Sequence, residues 1–319
     1  MAGVSYRAWG LLFALGGVVG FGFRPVFVKL CYAVQPVSPV TLLFLRMALS
    51  LPFFVAVAWW LGRADARNAH DAQRAPLTAR EWAAVAALAF MGYYLASFLD
   101  FIGLQYVGAG VGRLILFMYP TMVLLLSFFF LHKRPAASEL AALAISYVGI
   151  ALVVSGQIGA TAQDRLFLFG VLMCLTSALC YAVYLVAGSQ LTRRIGSMRF
   201  TAYTMILATV PAVVQFVALE KVGSLDLLPQ MWWYLAIMVV FCTVVPVFLV
   251  AEALKRIGAN HFALIGGIGP VVTVFAGAVG LEEPVTLLQV AGSILVISGV
   301  LLVSLKPKAG QRPPSEQKS

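Results

Sequence analysis

Four ionisable side chains lie inside long apolar stretches of the sequence: Arg24, Arg46, Asp100 and Arg113. A charge within a membrane is costly, so each of these residues requires a partner, water or a function. Arginine offers a planar fork of N–H donors that suits carboxylate and phosphate groups. Three cations and one anion leave a surplus of positive charge, which an anionic substrate would neutralise.

These four residues are predicted to share one depth in the membrane. Asp100 and Arg113 are equally distant from a turn near Tyr106, which places both about 10 Å below the membrane surface. Arg46 and Arg24 lie about seven and eight residues from the same surface. We therefore predict that all four contribute to substrate binding. The alternative is a structural Asp100–Arg113 ion pair, with the other arginines bonded to helix carbonyls or water.

Aromatic and acidic residues complete the predicted site. Six aromatic residues occur where they could line a cavity or stack on a flat ligand, although most such rings in helix bundles only pack; they are Tyr93, Tyr94, Phe98, Tyr119, Tyr181 and Tyr184. Of these we assign Tyr94 and Tyr119 to substrate binding. Asp100 and Glu252 are candidates for ion coupling. Glu252 precedes two basic residues at neighbouring-turn spacing, which favours a salt bridge at a helix end, with ion coupling as the alternative.

Glycine and proline residues are predicted to interrupt three helices. The runs are GFGFRP from Gly20, YP at Tyr119 and GGIGP from Gly266. Interrupted helices often expose backbone groups to a substrate or ion. Close helix packing with a proline kink is the alternative interpretation.

Composition excludes several classes of protein. The chain is 62% hydrophobic and 11% charged, with a mean hydropathy of +0.96, which is too apolar for a soluble domain. Its four cysteines lack CxxC spacing and its three histidines are far apart, so we predict no metal and no cofactor. HExxH, GxSxG and GxxxxGK[ST] motifs are missing, which argues against an enzyme or an ATPase. Basic residues spread over short connectors do not indicate nucleic-acid binding.

Apolar runs long enough to cross a membrane as a helix, about 20 residues each, recur between short polar breaks. They predict an all-α integral membrane protein with ten transmembrane helices and membrane lipid as its surroundings. The predicted helices are 9–32, 39–61, 82–104, 109–131, 138–156, 166–189, 200–219, 231–254, 261–281 and 285–305.

The distribution of Lys and Arg predicts the orientation. Sixteen of the 22 basic residues fall on one side if the spans alternate, and this side should be the cytoplasm. Both termini are then cytoplasmic, in a cell membrane of the bacterial inner-membrane type. The last segment, 307–319, is predicted to be a polar cytoplasmic tail.

An internal repeat divides the chain into two halves, 1–156 and 166–306. The segment LQYVGAGVGRLILFMYPTMV from Leu104 aligns without a gap on LKRIGANHFALIGGIGPVVT from Leu254, which pairs Pro120 with Pro270. Each half has five spans, an odd number, so the second half must cross the membrane in the opposite sense. The charges agree with opposite orientations of the two halves, because His132, Lys133 and Arg134 align with a segment that contains Glu282 and Glu283.

This pattern resembles the drug/metabolite transporter (DMT) superfamily, in particular its EamA-domain proteins. The resemblance covers Gly10 to Leu305 and rests on the two five-helix units, on Pro120 and Pro270, and on the GLEEP junction that ends at Pro284. The first half departs from the family pattern with LHKRP at Leu131 to Pro135. The resemblance implies secondary transport of small metabolites, commonly export, by alternating access through a cavity between the halves.

The sequence thus predicts a secondary active transporter, with export favoured, for a small anionic or zwitterionic organic metabolite. A membrane scaffold or receptor without transport activity is one alternative, and an intramembrane enzyme is another. The identity of the substrate, the coupling ion and the choice between monomer and homodimer are left open.

Overall fold

The computed structural model describes residues 2–67, 77–131, 137–155 and 163–304, and within these ranges it contains helices and no β-strand. Seven of the described helices are long and apolar enough to cross a membrane. Three shorter apolar helices lie at Leu143–Ser155, Gly269–Gly280 and Leu287–Gly299. The protein is therefore a multi-pass α-helical membrane protein, and the full count of ten spans stays a prediction.

The two halves of the chain have similar orders of helices, except that one helix of the second half, Val245–Gly266, covers positions that two helices, Ala96–Tyr106 and Ala109–Leu116, divide in the first half. The first half contains α1 (Ala2–Val34), α2 (Pro39–Arg67), α3 (Ala79–Ala89), a π-helical segment (Phe90–Leu95), α4 (Ala96–Tyr106), α5 (Ala109–Leu116), α6 (Tyr119–Leu131) and α7 (Ala137–Ser155). The second half contains α8 (Gln163–Ile195), α9 (Ser197–Leu219), a 3₁₀ turn (Val222–Leu225), α10 (Pro229–Val239), a π-helical segment (Val240–Val244), α11 (Val245–Gly266), α12 (Gly269–Gly280) and α13 (Leu287–Ser304).

Irregular backbone recurs at matching positions of the two halves. The π-helical segments begin at Phe90 and Val240, which are aligned residues of the repeat. Helix breaks at 117–118 and 267–268 also match, and each directly precedes a helix that has proline in its first turn. Proline lacks the N–H that would continue the preceding helix, so these breaks follow from the sequence. The predicted interruption at Gly20 is wrong, since α1 continues through Pro25.

Two predicted spans, 231–254 and 261–281, share one helix in the structure. The first half has a non-helical reversal at 107–108, whereas α11 is assigned as helix from Val245 to Gly266 without a gap. Contacts of α1 nevertheless show that the chain changes direction. Gly10 lies against Arg256 and Gly20 against Pro246, whereas Gly22 lies against Val272 and Gly280 against Val26. α1 is therefore antiparallel to the first part of α11 and parallel to α12.

Equivalent helices of the two halves pack against each other in antiparallel fashion. Phe44 of α2 stacks on Phe216 of α9 at 4.1 Å between ring centroids, and at the other end of the pair Arg199 donates to the Leu61 carbonyl at 3.3 Å. The pair α7 and α13 meets at Gly149, where an added Cβ would lie 2.7 Å from the Gly292 carbonyl oxygen. Small residues at such crossings allow close backbone approach.

Candidate functional site

A cavity of about 220 Å³ lies between the two halves, and both halves contribute to its walls. Both π-helical segments line it, the first through Gly92 and Tyr93 and the second through Cys242 and Thr243. Such segments are rare and often mark functional sites in helices. The sequence did not predict these π-helical segments, although they begin at aligned positions of the repeat. The cavity also brings together three arginines and three tyrosines; they are Arg24, Arg46, Tyr93, Arg113, Tyr119 and Tyr181.

Arg46 of α2 is a fully buried cation, with 1% of its surface exposed. Its Nη2 donates to the Ser97 hydroxyl at 3.1 Å, and its guanidinium lies 5.4 Å from the centre of the Phe101 ring. Its Nε and Nη1 have no hydrogen-bond partner among the described residues. A buried donor without a partner costs free energy, so Arg46 is a candidate for binding an acceptor that enters the cavity.

Arg24 of α1 forms an ion pair with Asp100 of α4, at 3.0 Å between Nη2 and Oδ2. The Asp100 side chain is only 3% exposed, and Asp100 does not line the cavity. α1 packs directly on α4 here, since the Tyr32 hydroxyl donates to the Phe101 carbonyl at 3.0 Å. The Asp100 carboxylate therefore faces α1 and neutralises Arg24 from behind the cavity wall.

The alternative Asp100–Arg113 ion pair is wrong within the described structure, because Arg24 is the ion-pair partner of Asp100. Equal distance from the turn could not specify the helix face. Arg113 instead lines the cavity from the last turn of α5, and its Nε has no hydrogen-bond partner among the described residues. The negative end of the helix dipole favours a cation at this position.

The tyrosines form a contiguous aromatic wall between the π-helical segment of the first half and α8. Tyr119 and Tyr181 are edge-on at 5.2 Å, Tyr181 stacks on Tyr184 at 5.8 Å, and Tyr93 is edge-on to Tyr184 at 5.2 Å. Tyr94 packs against Phe90 and Phe98 outside the cavity lining. Tyr93 lines the cavity, whereas the sequence predicted this role for the adjacent Tyr94.

Glu252 lies apart from the cavity lining and belongs to a local ion-pair cluster. It accepts hydrogen bonds from Lys255 Nζ at 3.2 Å and from Arg256 Nε at 3.0 Å. This geometry is the salt bridge that the spacing of these residues favours, although Glu252 lies within α11 and not at its end. Ion coupling through Glu252 or Asp100 stays a prediction.

Comparison with known proteins gives the family. The model of the EamA-like transporter family matches residues 8–155 and again 168–305, so the domain is duplicated. The uncharacterized transporter YcbK of Bacillus subtilis (strain 168) is 30% identical over 95% of this chain and 96% of its own length. An uncharacterized transporter of Archaeoglobus fulgidus is 26% identical over 88% of this chain and 94% of its own length.

A solved crystal structure supports the fold. It superposes with a TM-score of 0.61 at 16% identity, and the match covers 94% of this chain and 98% of that chain. At this identity the likeness concerns the fold alone. The relatives named above are transporters and not enzymes, which agrees with a cavity built for binding. From the two family matches and the similarity along its length, the chain belongs to the EamA-like transporter family.

Proposed function

We propose that this protein is a secondary active transporter that exports a small anionic or zwitterionic organic metabolite through the central cavity by alternating access. The observation that carries the proposal is the convergence of Arg24, Arg46 and Arg113 on one cavity between the halves. Within the described residues each of these guanidinium groups has a buried N–H without an acceptor. A carboxylate or phosphate group would supply the missing acceptors and charge.

The surrounding residues suit the rest of such a substrate. The hydroxyl and ring faces of Tyr93, Tyr119 and Tyr181 offer both a hydrogen-bonding atom and an apolar surface. Phe21 and Val250 contribute apolar surface to the cavity. We infer that the anionic group binds at the arginines and that the body of the metabolite extends along the tyrosine wall.

The proposed topology is ten spans in two inverted halves, with both termini in the cytoplasm of a bacterial-type cell membrane. Support comes from the antiparallel packing of the equivalent helices α2 and α9 and from the matching irregular segments of the two halves. A pseudo-symmetric scaffold around a central site is the usual basis of alternating access. The bias of Lys and Arg toward one set of loops supports the orientation.

A ligand screen on the purified protein tests the proposal. A compound that binds only the folded state stabilises the protein by a free energy that grows with the ratio of its concentration to Kd. The melting temperature rises as a consequence. The panel pairs each organic anion with its neutral amide or ester, so that charge is the tested variable. Stabilisation by anions, with loss of the effect in Arg113→Gln and not in the exposed control Arg80→Gln, is the expected result.

Reconstitution then separates a transporter from a receptor or scaffold. Vesicles that contain the protein and a radiolabelled ligand should exchange it with unlabelled ligand outside, whereas a receptor binds the ligand without exchange. Binding with no exchange in either vesicle orientation would reject the transport proposal.

A further inference from the structure

One cross-connection joins the two halves at the end of the bundle where Lys29 lies. Glu283, between α12 and α13, accepts hydrogen bonds from the backbone N–H groups of Ala109 at 2.8 Å and Gly110 at 3.4 Å. Lys29 Nζ lies 3.4 Å from the same carboxylate and donates to the Val107 carbonyl at 2.9 Å. We call Glu283, Lys29 and the first turn of α5 the latch.

The backbone is shaped to hold the Glu283 side chain in this position. Glu282 has a φ of 54°, which an L-residue adopts at a cost, and Glu283 N–H donates to the Gly277 carbonyl at 3.2 Å. A Cβ added at Gly108 or at Gly277 would lie 3.0 Å from Glu283 Oε2. The carboxylate therefore occupies a slot between two glycines, one from each half.

The latch provides a hydrogen-bond acceptor for the first N–H groups of α5 from a distant part of the chain. Gly108 precedes the helix and provides no side-chain cap, so the first N–H groups of α5 need another acceptor. Glu283 supplies it across 174 residues of sequence and adds a negative charge at the positive end of the helix dipole. These interactions exist only while the halves are together at this end.

The latch lies just beyond the cavity. The lining includes Arg24 of α1 and Arg113 of α5, and no latch residue belongs to it. Lys29 is about 7.5 Å further along α1 than Arg24, and Ala109 is about 6 Å from Arg113 along α5. The latch therefore lies between the arginines and this face of the protein.

The repeat does not reproduce the latch at the other end. The residue aligned with Glu283 is Lys133, which has the opposite charge and lies outside the described residues. The residues aligned with Ala109 and Gly110 are Ala259 and Asn260, which lie within α11. The carboxylate of the latch therefore has no counterpart of the same charge in the repeat.

We propose that the latch is a gate, which keeps the cavity closed toward this face until the Glu283 carboxylate leaves the beginning of α5. This gate rests on the proposed transport function, since it controls access to the same cavity. Neutralising Glu283 should favour the state that is open to the latch face. Glutamine removes the ion pair with Lys29 and the negative charge at the beginning of α5, and keeps only a neutral amide oxygen as acceptor, so the effect should be on the order of tenfold.

Cysteine labelling tests the gate without any substrate. Cys242 lines the cavity, and Cys31, Cys174 and Cys180 can be replaced by alanine to leave it as the single reporter. A membrane-impermeant maleimide is added to sealed vesicles of each orientation. A Gln105→Cys variant of exposed Gln105 identifies the vesicles that present the latch face.

Glu283→Gln should raise the labelling rate of Cys242 from the latch face about tenfold. The matched control is Glu282→Gln, which makes the same change in charge at an exposed neighbour and should stay within about twofold. A folded Glu283→Gln protein that labels at the control rate would overturn the gate. Should Glu283→Gln fail to fold, Lys29→Met removes the ion pair and the hydrogen bond to the Val107 carbonyl but leaves the Glu283 carboxylate at the beginning of α5. It should still raise the rate, and an unchanged rate in that folded variant also rejects the gate.

The two proposals can fail separately. If the protein binds no anion in the ligand screen but opens when Glu283 is neutralised, the gate proposal stands and the anion-site proposal fails. If the protein binds anions through Arg113 but Cys242 is labelled at the same rate in all variants, the anion-site proposal stands and the gate proposal fails.

Discussion

Arg46→Gln is expected to weaken anion binding while leaving the fold as stable as before, or more stable. In the absence of ligand, Arg46 makes one hydrogen bond to a side-chain hydroxyl, that of Ser97, and leaves Nε and Nη1 without partners among the described residues. One hydrogen bond to a charged group contributes about 1.5–3 kcal/mol. Burying a cation without a counter-anion costs several kcal/mol, so the balance disfavours Arg46 in the ligand-free protein.

The anion reverses this balance. A charge-assisted hydrogen bond to a carboxylate or phosphate contributes about 1.5–3 kcal/mol, so its loss should weaken binding by about 10-fold to 150-fold. Glutamine keeps a similar length and one amide donor but carries no charge. Arg46→Lys should restore binding only in part, because a lysine lacks the planar fork.

Thermal unfolding of the purified variants, with and without the best ligand of the screen, measures both effects. Arg80→Gln is the control for loss of one positive charge at an exposed site. A purely structural Arg46 would give the reverse pattern, with a lower melting temperature for Arg46→Gln and unchanged ligand affinity. That result would refute the assignment of Arg46 to the site.

Three further predictions concern the ion pair, the helix crossing and the topology. Asp100→Asn should lower stability by about 3 kcal/mol because Arg24 loses its buried counter-charge, whereas the exposed control Asp226→Asn should be nearly neutral; equal unfolding midpoints would contradict this. Gly149→Ala should lower the free energy of unfolding by about 1–3 kcal/mol, because its methyl group would meet the backbone of the opposing helix. Gly62→Ala is the control and should not destabilise the protein, because there is open space around Gly62. Equal thermal midpoints for the two variants would exclude close packing at Gly149. Reporter tags in the loop near residue 70 and at the C-terminus should both be cytoplasmic, and a tag between the halves should not be; tags on opposite sides would reject the inverted halves.

Hydropathy and charge were sufficient to predict much of the fold, because the energy of a polar group in lipid is large and depends mainly on local sequence. The seven long apolar helices each overlap a predicted span. Positions along a helix axis could also be estimated, since a helix has a constant rise per residue. This is why Arg24, Arg46 and Arg113 line one cavity as their positions along the helices suggested.

Helix rotation was not predictable from the same information. Asp100 faces Arg24, 76 residues away in sequence, because α1 packs on that side of α4. Tyr93 lines the cavity and the adjacent Tyr94 does not, again because packing sets which face is turned inward. The π-helical segments and the Glu283 contact with α5 likewise depend on long-range packing, which single-sequence periodicity does not encode.

The halves share a backbone design but not a charge pattern. Residues aligned with Asp100 and Arg113 in the second half are Val250 and Ala263, so the repeat does not duplicate these charges. Val250 lines the cavity, whereas its counterpart Asp100 lies behind the wall and neutralises Arg24. The first half therefore supplies the arginines that line the cavity, while the second half supplies uncharged lining residues and the carboxylate of the latch. A pseudo-symmetric backbone thus presents an asymmetric set of charges to the cavity.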